Sequence, residues 1–231
     1  MDNEDEPVEI KAPARSRGRP RAGAEGDAPD AGVGRDALID ATIDLLKTSP
    51  PSKITPVVVA RHTGVHPSLI RYYFKTRAAL LVAVAERVTQ RFVQEVDAAA
   101  QDAASTPESR LCARIGALID LNASYPFFHQ LIVSEIAMSD DPAAHEMIAR
   151  FTNRGQAAYG QILRAGLADG SFRGMDPGLL YVAAIGMSEF FVSARRQLEI
   201  AQGVAIDEDE MRAAYKAFVC DLVLNGVMKK D

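Results

Sequence analysis

The chain has 231 residues, of which 48% are hydrophobic and 25% are charged. This composition supplies enough apolar side chain for one large domain or two modest ones. No apolar run approaches the roughly 18–20 residues that a membrane span needs. The first residues are acidic and then basic, without the apolar stretch of a secretory signal. These features argue against a membrane partner, and we expect a cytoplasmic protein.

The net charge of −5 is distributed unevenly along the chain. Residues 11–21 hold five basic side chains and no acidic one, and residues 34–92 hold nine basic and four acidic side chains. From residue 93 onward, nineteen acidic side chains outnumber twelve basic ones. A basic N-terminal third on an acidic body is the pattern of a protein with one end that faces phosphate.

Residues 1–33 are rich in Asp, Glu, Arg, Gly, Pro and Ala and carry almost no large apolar side chain. Burial cannot offset the ordering entropy of such a segment, so we expect it to be disordered. The run RGRPR at residues 17–21 resembles the core of an AT-hook, in which Arg17 and Arg19 would enter an A·T-rich minor groove. The alternative is a generic basic tail that adds affinity for any DNA sequence.

The apolar pattern beyond residue 33 has helical periodicity, and no alternating strand pattern follows it. A capping residue followed by proline marks several helix starts. These dipeptides are Thr55-Pro56, Thr106-Pro107, Asp141-Pro142 and Asp176-Pro177, with His66-Pro67 and Tyr125-Pro126 as weaker versions. We therefore predict an all-α protein with helices over 34–48, 55–62, 66–73, 76–103, 107–123, 126–138, 142–168, 177–201 and 207–228.

The stretch from Ile54 to Leu81 has the organisation of a helix-turn-helix. Two short predicted helices flank Gly64-Val65, where glycine tolerates the left-handed backbone of a tight turn. Small and apolar residues on both helices can seat them together. Polar residues stand at the start of the second helix, where this motif meets base edges. The motif therefore predicts a double-stranded DNA partner.

The same stretch resembles the DNA-binding signature of the TetR/AcrR family of transcription regulators. His66 and Arg71 stand where that family usually has a serine-like cap and a tyrosine, and Arg77 replaces a usual lysine. The resemblance implies a three-helix helix-turn-helix DNA-binding domain over residues 34–80, joined to a helical ligand-binding and dimerisation domain over 81–231. The residues that carry it are Thr55, Ala60, Gly64-Val65, Tyr72-Tyr73-Phe74, Lys75-Thr76-Arg77 and Leu80-Leu81.

Polar residues at the second helix of the motif have both a DNA-reading and a structural interpretation. Arg71 can pair with guanine in the major groove or hold a phosphate. His66 and Ser68 either face base edges or cap the helix. The candidate DNA contacts in this helix are His66, Pro67, Ser68, Arg71, Tyr72 and Tyr73.

Residues outside that helix add candidate phosphate contacts. Thr55 is expected to cap its own helix, and the resemblance adds a phosphate contact for it and for Tyr73. Lys75 and Arg77 lie at a helix N-terminus, where the helix dipole disfavours cations, so their presence suggests an external anion. We expect the neighbouring Phe74 to be a core residue.

Polar and aromatic side chains on otherwise apolar helices of the larger domain suggest a ligand pocket. Each aromatic residue taken singly is more simply explained as part of the core. Together with the methionines, the aromatic residues point to an apolar or aromatic small-molecule effector. The candidate ligand-binding residues are Arg114, Asn122, Phe127, Phe128, His129, Glu135, Met138, Phe151, Asn153, Tyr159, Met187 and Phe191, with Glu189 as a further polar candidate.

The resemblance implies a homodimer through the eighth and ninth helices, which would form a four-helix bundle about a two-fold axis. The two recognition helices would then meet successive major grooves about 34–36 Å apart. Effector binding is expected to favour a conformer with a different spacing, so that the regulator, by family precedent a repressor, leaves its operator. The alternative function is an architectural or ligand-independent DNA-binding protein.

Enzyme motifs are absent from the sequence. The segment GMSEF at residues 186–190 lacks the second glycine of a nucleophile elbow, and no glycine loop for phosphate is present. His62 and His66 lie on opposite sides of the glycine turn and share no helix face for a metal. Cys112 and Cys220 have no metal-ligand spacing, and we expect each to be a small buried apolar side chain. We expect no catalysis, metal or cofactor.

Overall fold

A computed structural model describes residues 33–102 and 106–229, except for the side chains of 97–102 and 193. Within these residues the protein is all-α, as predicted, and its one strand-like feature is an isolated bridge between Phe172 and Met228. Residues 1–32, which include Arg17 and Arg19 and make up nearly all of the tail expected to be disordered, lie outside the described residues. The helices are α1 (Arg35–Leu46), α2 (Pro56–Thr63), α3 (Pro67–Tyr73), α4 (Arg77–Asp102), α5 (Pro107–Ser124), α6 (Phe128–Gln130), α7 (Pro142–Asp169), α8 (Pro177–Gln202) and α9 (Glu208–Val227).

Most helix starts are built as the pairing of a capping residue with proline predicts. The Thr55 side chain accepts a hydrogen bond from the N–H of Val58 at 3.3 Å. Asp176 Oδ1 accepts from the N–H groups of both Gly178 and Leu179, at 2.7 and 2.9 Å. In each case the proline takes the first helical position, where its missing N–H costs nothing. Side chains also cap α3, α5 and α7, through His66, Thr106 and Asp141.

The sixth helix differs from its prediction. Tyr125 ends α5, where its N–H donates to the Leu121 carbonyl at 2.8 Å, and its long aromatic side chain supplies no capping oxygen. The helix begins instead at Phe128, without a side-chain cap, and widens into a π-helix over Leu131–Ile136. Such π-helical segments are rare and concentrate at functional sites.

The N-terminal module (α1–α3, residues 35–73) packs around an apolar core against the start of α4. Leu38, Val59 and Ile70, one from each helix, are buried, and Phe74 is buried as predicted. The domain boundary predicted at residue 80 falls within the first turn of α4, which continues unbroken to Asp102. That boundary stays a prediction, because α4 packs on both parts of the chain.

Ion pairs fasten α1 to α4 outside this core. Arg87 lies 2.7 Å from Asp36 and 3.2 Å from Asp40, and Arg91 lies 2.8 Å from Asp40. The Arg91 guanidinium also donates to the Tyr125 hydroxyl at the end of α5. Exposed pairs of this kind contribute little stability singly, but a network fixes geometry. The N-terminal module is therefore held in a defined orientation on α4.

Helix α5 is the centre of the C-terminal domain (α5–α9, residues 107–227), where it packs on α4, α7, α8 and α9. Its Leu111, Ile115 and Ile119 are fully buried. The α7–α8 loop folds over the end of α9, and a Cβ at Gly166 would lie 2.2 Å from the buried Phe172 ring. Glycine at position 166 is required by this close approach.

A disulfide joins Cys112 of α5 to Cys220 of α9, with their Cα atoms 5.2 Å apart. The expectation of two separate buried apolar side chains was therefore wrong. The two residues are 108 positions apart in sequence, and only the packing of α9 along α5 brings them together. The same two helices are joined by an ion pair between Lys216 and Asp120 at 2.6 Å.

Among the described residues, no single helix is long and apolar enough to cross a membrane. Two segments of α8, Pro177–Val192 and Ala194–Gln202, reach the length and hydropathy of a membrane span only when they are taken together. These segments are bent by 42° relative to each other. Within α8, Leu180, Ala184 and Phe191 are buried against the rest of the domain.

Candidate DNA-binding and effector-binding sites

The turn between α2 and α3 is built on Gly64. Its φ of 71° is left-handed, as predicted, and the Val65 N–H donates to the Ala60 carbonyl at 3.0 Å. A residue with a Cβ would be strained at this φ. The tight turn sets α3 across the end of α2, which is the geometry of a helix-turn-helix.

The start of α3 is organised by His66. Its Nδ1 accepts the N–H of Ser68 at 3.3 Å and lies 2.8 Å from the Ser68 hydroxyl. His66 therefore caps the helix, which is the structural interpretation of that residue. Both side chains are nevertheless exposed, and Pro67 takes the first helical position. Their contact with base edges stays a proposal.

The solvent face of α3 is cationic and aromatic. Arg71 is exposed and the Tyr72 ring is 78% exposed, while the exposed Lys75 follows just after the end of the helix. Tyr73 is half-buried and meets the Tyr72 ring edge-on at 5.1 Å between centroids. Tyr72 is therefore the more accessible of the two adjacent tyrosines.

The exposed cations Lys53 and Arg61 belong to the same region and were not singled out from the motif. Lys53 ends the short 3-10 turn before α2, and Arg61 lies in the last turn of α2. The excess of basic residues in 34–92 was the signal for them. Which of those cations remain exposed depends on tertiary packing.

Arg77 does not face an external phosphate, contrary to our expectation. Its guanidinium donates to the carbonyls of Ile54 and Pro51 and to the Glu135 carboxylate, each at 2.6 Å. The side chain is only 33% exposed. Its donor groups are engaged within the protein, so the phosphate role expected of Arg77 is replaced by a structural one.

Glu135 does not line a ligand pocket, again contrary to expectation. Its side chain is 15% exposed and pairs with Arg77. It lies in the π-helix, which projects it toward the segment before α2. Arg77, at the start of α4, therefore links Pro51 and Ile54 of the N-terminal module to Glu135 of the C-terminal domain.

The C-terminal domain holds a cavity of about 270 Å³ between α4, α5, α7 and α8. Among the predicted pocket residues, Arg114, Phe151 and Tyr159 line it. Arg154, Gly155 and Tyr181 also line it and were missed, although their spacing from Phe151 and Tyr159 on a helix was a usable signal for the first two. The remaining walls include Phe92, Val93, Val96, Leu118 and Ile185.

Tyr159 and Arg114, which both line this cavity, pack against each other. The guanidinium of Arg114 lies over the Tyr159 ring, 4.9 Å from its centroid. Burial raises the pKa of Tyr159 to about 12, although the Arg114 cation opposes this shift. The Tyr159 side chain is 2% exposed, and its buried hydroxyl has no hydrogen-bond partner among the described residues.

A more open groove of about 570 Å³ adjoins the cavity between α4 and α7. Val93, Phe151 and Arg154 line both spaces, so the groove leads into the cavity. Thr89, whose hydroxyl is buried without a hydrogen-bond partner among the described residues, also lines the groove. The ion pair between Glu86 and Arg150 stands at its outer edge.

Several predicted pocket residues have other contacts. Asn122 is buried and donates to the Ser188 hydroxyl at 3.1 Å. His129 Nδ1 lies 2.6 Å from the Glu189 carboxylate, whose pKa is raised by burial and lowered in part by His129. These two pairs join the α5–α6 region to α8 and lie outside the lining of the cavity.

The other aromatic and methionine candidates are core or surface residues. Met138 is 74% exposed, and Asn153 is exposed on α7, so neither walls the cavity. A residue that lines a pocket must face the helices that enclose it, and the side chains of Met138 and Asn153 face solvent instead. Phe127, Phe128 and Phe191 are buried in the core, while Met187 accepts the Tyr215 hydroxyl through its carbonyl.

The outer faces of α8 and α9 carry exposed apolar side chains. On α8, Leu179, Val182 and Phe190 are 73%, 64% and 61% exposed, and their spacing places them on one face. On α9, Phe218 and Leu222 are 62% and 50% exposed. Buried between the two helices, Phe191 stacks on Tyr215 with centroids 4.7 Å apart. We call the five exposed residues the apolar face.

Groups of three or more metal-ligating side chains are absent from the described part of the chain.

Comparison with known proteins identifies the larger part of the chain. Residues 104–231, more than half of the sequence, match the family model described as the tetracyclin repressor-like C-terminal domain. A curated relative, the HTH-type transcriptional regulator BetI of Rhizobium meliloti (strain 1021), is 32% identical over 83 residues. That match covers 36% of this chain and 40% of the relative.

Solved structures share the fold over most of the chain. A regulatory protein in the TetR family from Rhodococcus RHA1 has a TM-score of 0.64 at 17% identity, over 84% of this chain and 96% of that one. A transcriptional regulator from Saccharomonospora viridis, solved in complex with choline, has a TM-score of 0.63 at 14% identity. That second match covers 84% of this chain and 96% of the other. At these identities the likeness is one of fold.

Proposed function

Because the chain belongs to the TetR family of transcription regulators, we propose that it is a homodimeric repressor that a small-molecule effector releases from its operator. The observation that carries the DNA-binding part is the solvent face of α3, where Arg71 and Tyr72 stand exposed beyond the Gly64 turn, with the exposed Lys75 just after the helix. A short helix presented in this way fits the major groove. The protein would act in the cytoplasm, where operator DNA is accessible.

The DNA contacts we propose divide into two kinds. Arg71, with His66, Pro67 and Ser68 at the start of α3, would meet base edges. Lys75, Tyr72, Tyr73 and the cap of α2 at Thr55 would contact phosphate, as helix N-termini and cations do. The exposed Lys53 and Arg61 extend this phosphate-contacting set.

The apolar face supports a homodimer through α8 and α9. Five large apolar side chains stand exposed on α8 and α9, two helices that touch through Phe191 and Tyr215. Exposed apolar surface of this kind is typical of an association surface. A two-fold interface uses the same patch on both copies, so α8 and α9 of each would form a four-helix bundle. The dimer would set the spacing of the two α3 helices on DNA.

Release by an effector is supported by the position of the cavity relative to α4. Phe92, Val93 and Val96 of α4 line the cavity, and the ion pairs that fasten α1 to α4 lie directly before them, at Arg87 and Arg91. The structural neighbour solved with choline supports a small molecule in this fold. An effector that displaces α4 would shift α3, with the Arg77–Glu135 pair stabilising one of the two arrangements.

The test of DNA binding uses the full-length protein and duplexes selected from a randomised pool, measured by fluorescence anisotropy at several salt concentrations. We expect tight binding at low salt and a linear fall of log affinity with log salt. Arg71→Ala should weaken binding, while Arg196→Ala, which removes a 76% exposed cation of α8, should leave it unchanged. Failure to bind any duplex at low ionic strength would refute the proposal.

A further inference from the structure

The seam between α5 and α9 places three residues of one helix opposite three residues of the other. Each pair lies one turn further along both helices than the pair before it, so the two helices run antiparallel in a fixed register. A Cβ at Gly116 would lie 3.2 Å from Lys216 Cε, so this glycine lets the lysine stem lie close to α5. The pairs are the disulfide Cys112–Cys220, the contact Gly116–Lys216 and the ion pair Asp120–Arg212, whose N···O distance is 3.6 Å. The disulfide is therefore the covalent end of a seam whose other two pairs are noncovalent.

Both cysteines of this seam are within reach of small solutes. Cys112 and Cys220 are half-buried, and neither belongs to the fully buried core. Cys220 lies about 160–200° around α9 from Phe218 and Leu222, the two residues of the apolar face on that helix. A dimer formed through the apolar face would therefore cover the opposite side of α9 and leave the disulfide open to a reductant or an oxidant.

The compartment gives this disulfide a meaning beyond stability. The proposed function places the protein beside operator DNA, where small thiols such as glutathione keep most cysteines reduced. Disulfides that form in such a compartment are usually transient and respond to the redox state. A pair of half-buried cysteines that can close within one chain fits this second kind of disulfide.

The seam joins a wall of the cavity to the helix that carries part of the apolar face. Leu118 of α5 lies along the seam and lines the cavity, and Phe218 and Leu222 of α9 are each two residues from Cys220. Two thiols cannot approach each other as closely as two bonded sulfur atoms, because nonbonded atoms stay at van der Waals distance. Reduction would therefore let this part of α9 move away from α5, and the apolar face would move with it.

We propose that Cys112 and Cys220 are a redox modification site, at which a hydroperoxide closes the disulfide, a small thiol opens it, and the closed form binds operator DNA more tightly. This inference rests on the proposed function, since its consequence is a change in operator affinity. The closed seam would narrow the range of spacings between the two α3 helices of the dimer. Less free energy is then lost in ordering the protein when it binds DNA.

Oxidation and reduction of the pair are both two-electron reactions. The thiolate of one cysteine attacks the terminal oxygen of the hydroperoxide, the O–O bond breaks, and the alkoxide leaves as an alcohol with the proton of the thiol. The second thiol attacks the resulting sulfenic acid, and water leaves as the S–S bond forms. In the reverse direction, one glutathione thiolate attacks the disulfide and a second glutathione resolves the mixed disulfide, which yields two protein thiols and glutathione disulfide.

The first test counts thiols in the folded full-length protein. The protein is treated with tert-butyl hydroperoxide or with millimolar glutathione, labelled with a maleimide and weighed by mass spectrometry. We expect no label after oxidation and two labels per chain after reduction, with the same helical circular dichroism in both states. If glutathione opens the disulfide only when the protein unfolds, the disulfide is a permanent brace and the proposal is overturned. A covalent dimer on a non-reducing gel would equally overturn pairing within one chain.

The second test measures the operator affinity of both forms by fluorescence anisotropy, with a duplex selected from the randomised pool. We expect the reduced protein to bind about tenfold more weakly than the oxidised protein, and reoxidation to restore the affinity. The control is the double variant Cys112→Ser and Cys220→Ser, which should bind like the reduced wild type and ignore both reagents. Equal or weaker binding by the oxidised wild type would overturn the proposal. A response of the double variant to hydroperoxide would also overturn it, because that response would come from another residue such as methionine.

The two measurements let this inference and the proposed function fail separately. If both forms bind DNA with the same affinity, the regulator function stands and redox control is wrong. If neither form binds any duplex at low ionic strength, the proposed function is wrong and redox control of operator affinity falls with it, while the thiol count still decides whether the pair opens and closes.

Discussion

The N-terminal module and the C-terminal domain present their arginines in opposite ways. In the module, Arg71 projects from α3 into solvent, where it can meet a macromolecular anion. In the C-terminal domain, Arg114 is turned onto the buried Tyr159 ring. The first arrangement is suited to a long, flexible polyanion and the second to a small ligand of defined shape. Equal charge is thus suited to different partners according to its burial.

Arg77 marks the border between the two regions. It belongs to the motif by sequence, yet its guanidinium turns inward to two carbonyls and Glu135. Charge near a DNA-binding helix is therefore a poor guide to phosphate contact unless the burial of each side chain is known.

The largest effect we expect comes from the disulfide, which braces the C-terminal domain alone. Cross-linking residues 108 apart lowers the entropy of the unfolded chain, a stabilisation of about 4–5 kcal/mol by the loop-closure estimate. Cys220→Ser should lower the free energy of unfolding of oxidised protein by that order, measured by chemical denaturation. Dithiothreitol should destabilise the wild type and leave the variant unchanged; an equal loss in both would contradict the assignment.

The apolar face gives the next largest effect. Phe190→Glu or Phe218→Glu would place a carboxylate in the proposed interface and should weaken dimerisation about 100-fold or more, because an unpaired charge is costly to bury. Light scattering across a concentration series measures this change. Met138→Glu is the matched control, since Met138 is equally exposed but lies outside α8 and α9. If light scattering shows that the wild-type protein is a monomer at micromolar concentration, the proposed dimer through α8 and α9 is wrong.

The third prediction separates a structural cation from a DNA-facing one. Arg77→Ala leaves the Glu135 carboxylate and two carbonyls without their donor, and should lower the free energy of unfolding by about 2–3 kcal/mol. The slope of log affinity against log salt should stay the same for this variant. A flatter slope in a stably folded Arg77→Ala protein would restore the phosphate role that the geometry argues against.

The smallest effects concern single contacts to DNA. Lys75→Ala should reduce the salt slope by about 0.9 for each subunit that loses a phosphate contact, with no change in unfolding. Arg71→Ala should instead cost about 1–3 kcal/mol of discrimination at one base pair if it pairs with guanine. A uniform loss over all sequences for Arg71→Ala would assign that residue to phosphate.

Local sequence patterns predicted the helices because capping and helical periodicity are short-range properties. Eight predicted helices begin and end within two residues of their observed limits. The exception is α6, which begins at Phe128 instead of Pro126, because Tyr125 before that proline supplies no short polar cap. The Gly64 turn was equally predictable, since only a left-handed residue closes it.

The candidate pocket was less predictable than the helices. Arg114, Phe151 and Tyr159 line the cavity, whereas Glu135, Met138 and Asn153 do not. A polar residue on an apolar helix has the same local pattern whether it faces a cavity, a neighbouring helix or solvent. Periodicity gives the face of one helix, and it does not say which other helix covers that face.

The sequence by itself determined the helical fold, the turn at Gly64 and the cationic N-terminal third, because each depends on residues close together in the chain. Only the tertiary structure decided that Arg77 turns inward, that Cys112 meets Cys220 and that Tyr159 and Arg114 share one cavity. These pairings join residues from separate helices, and their existence depends on how the helices pack, which no local pattern specifies.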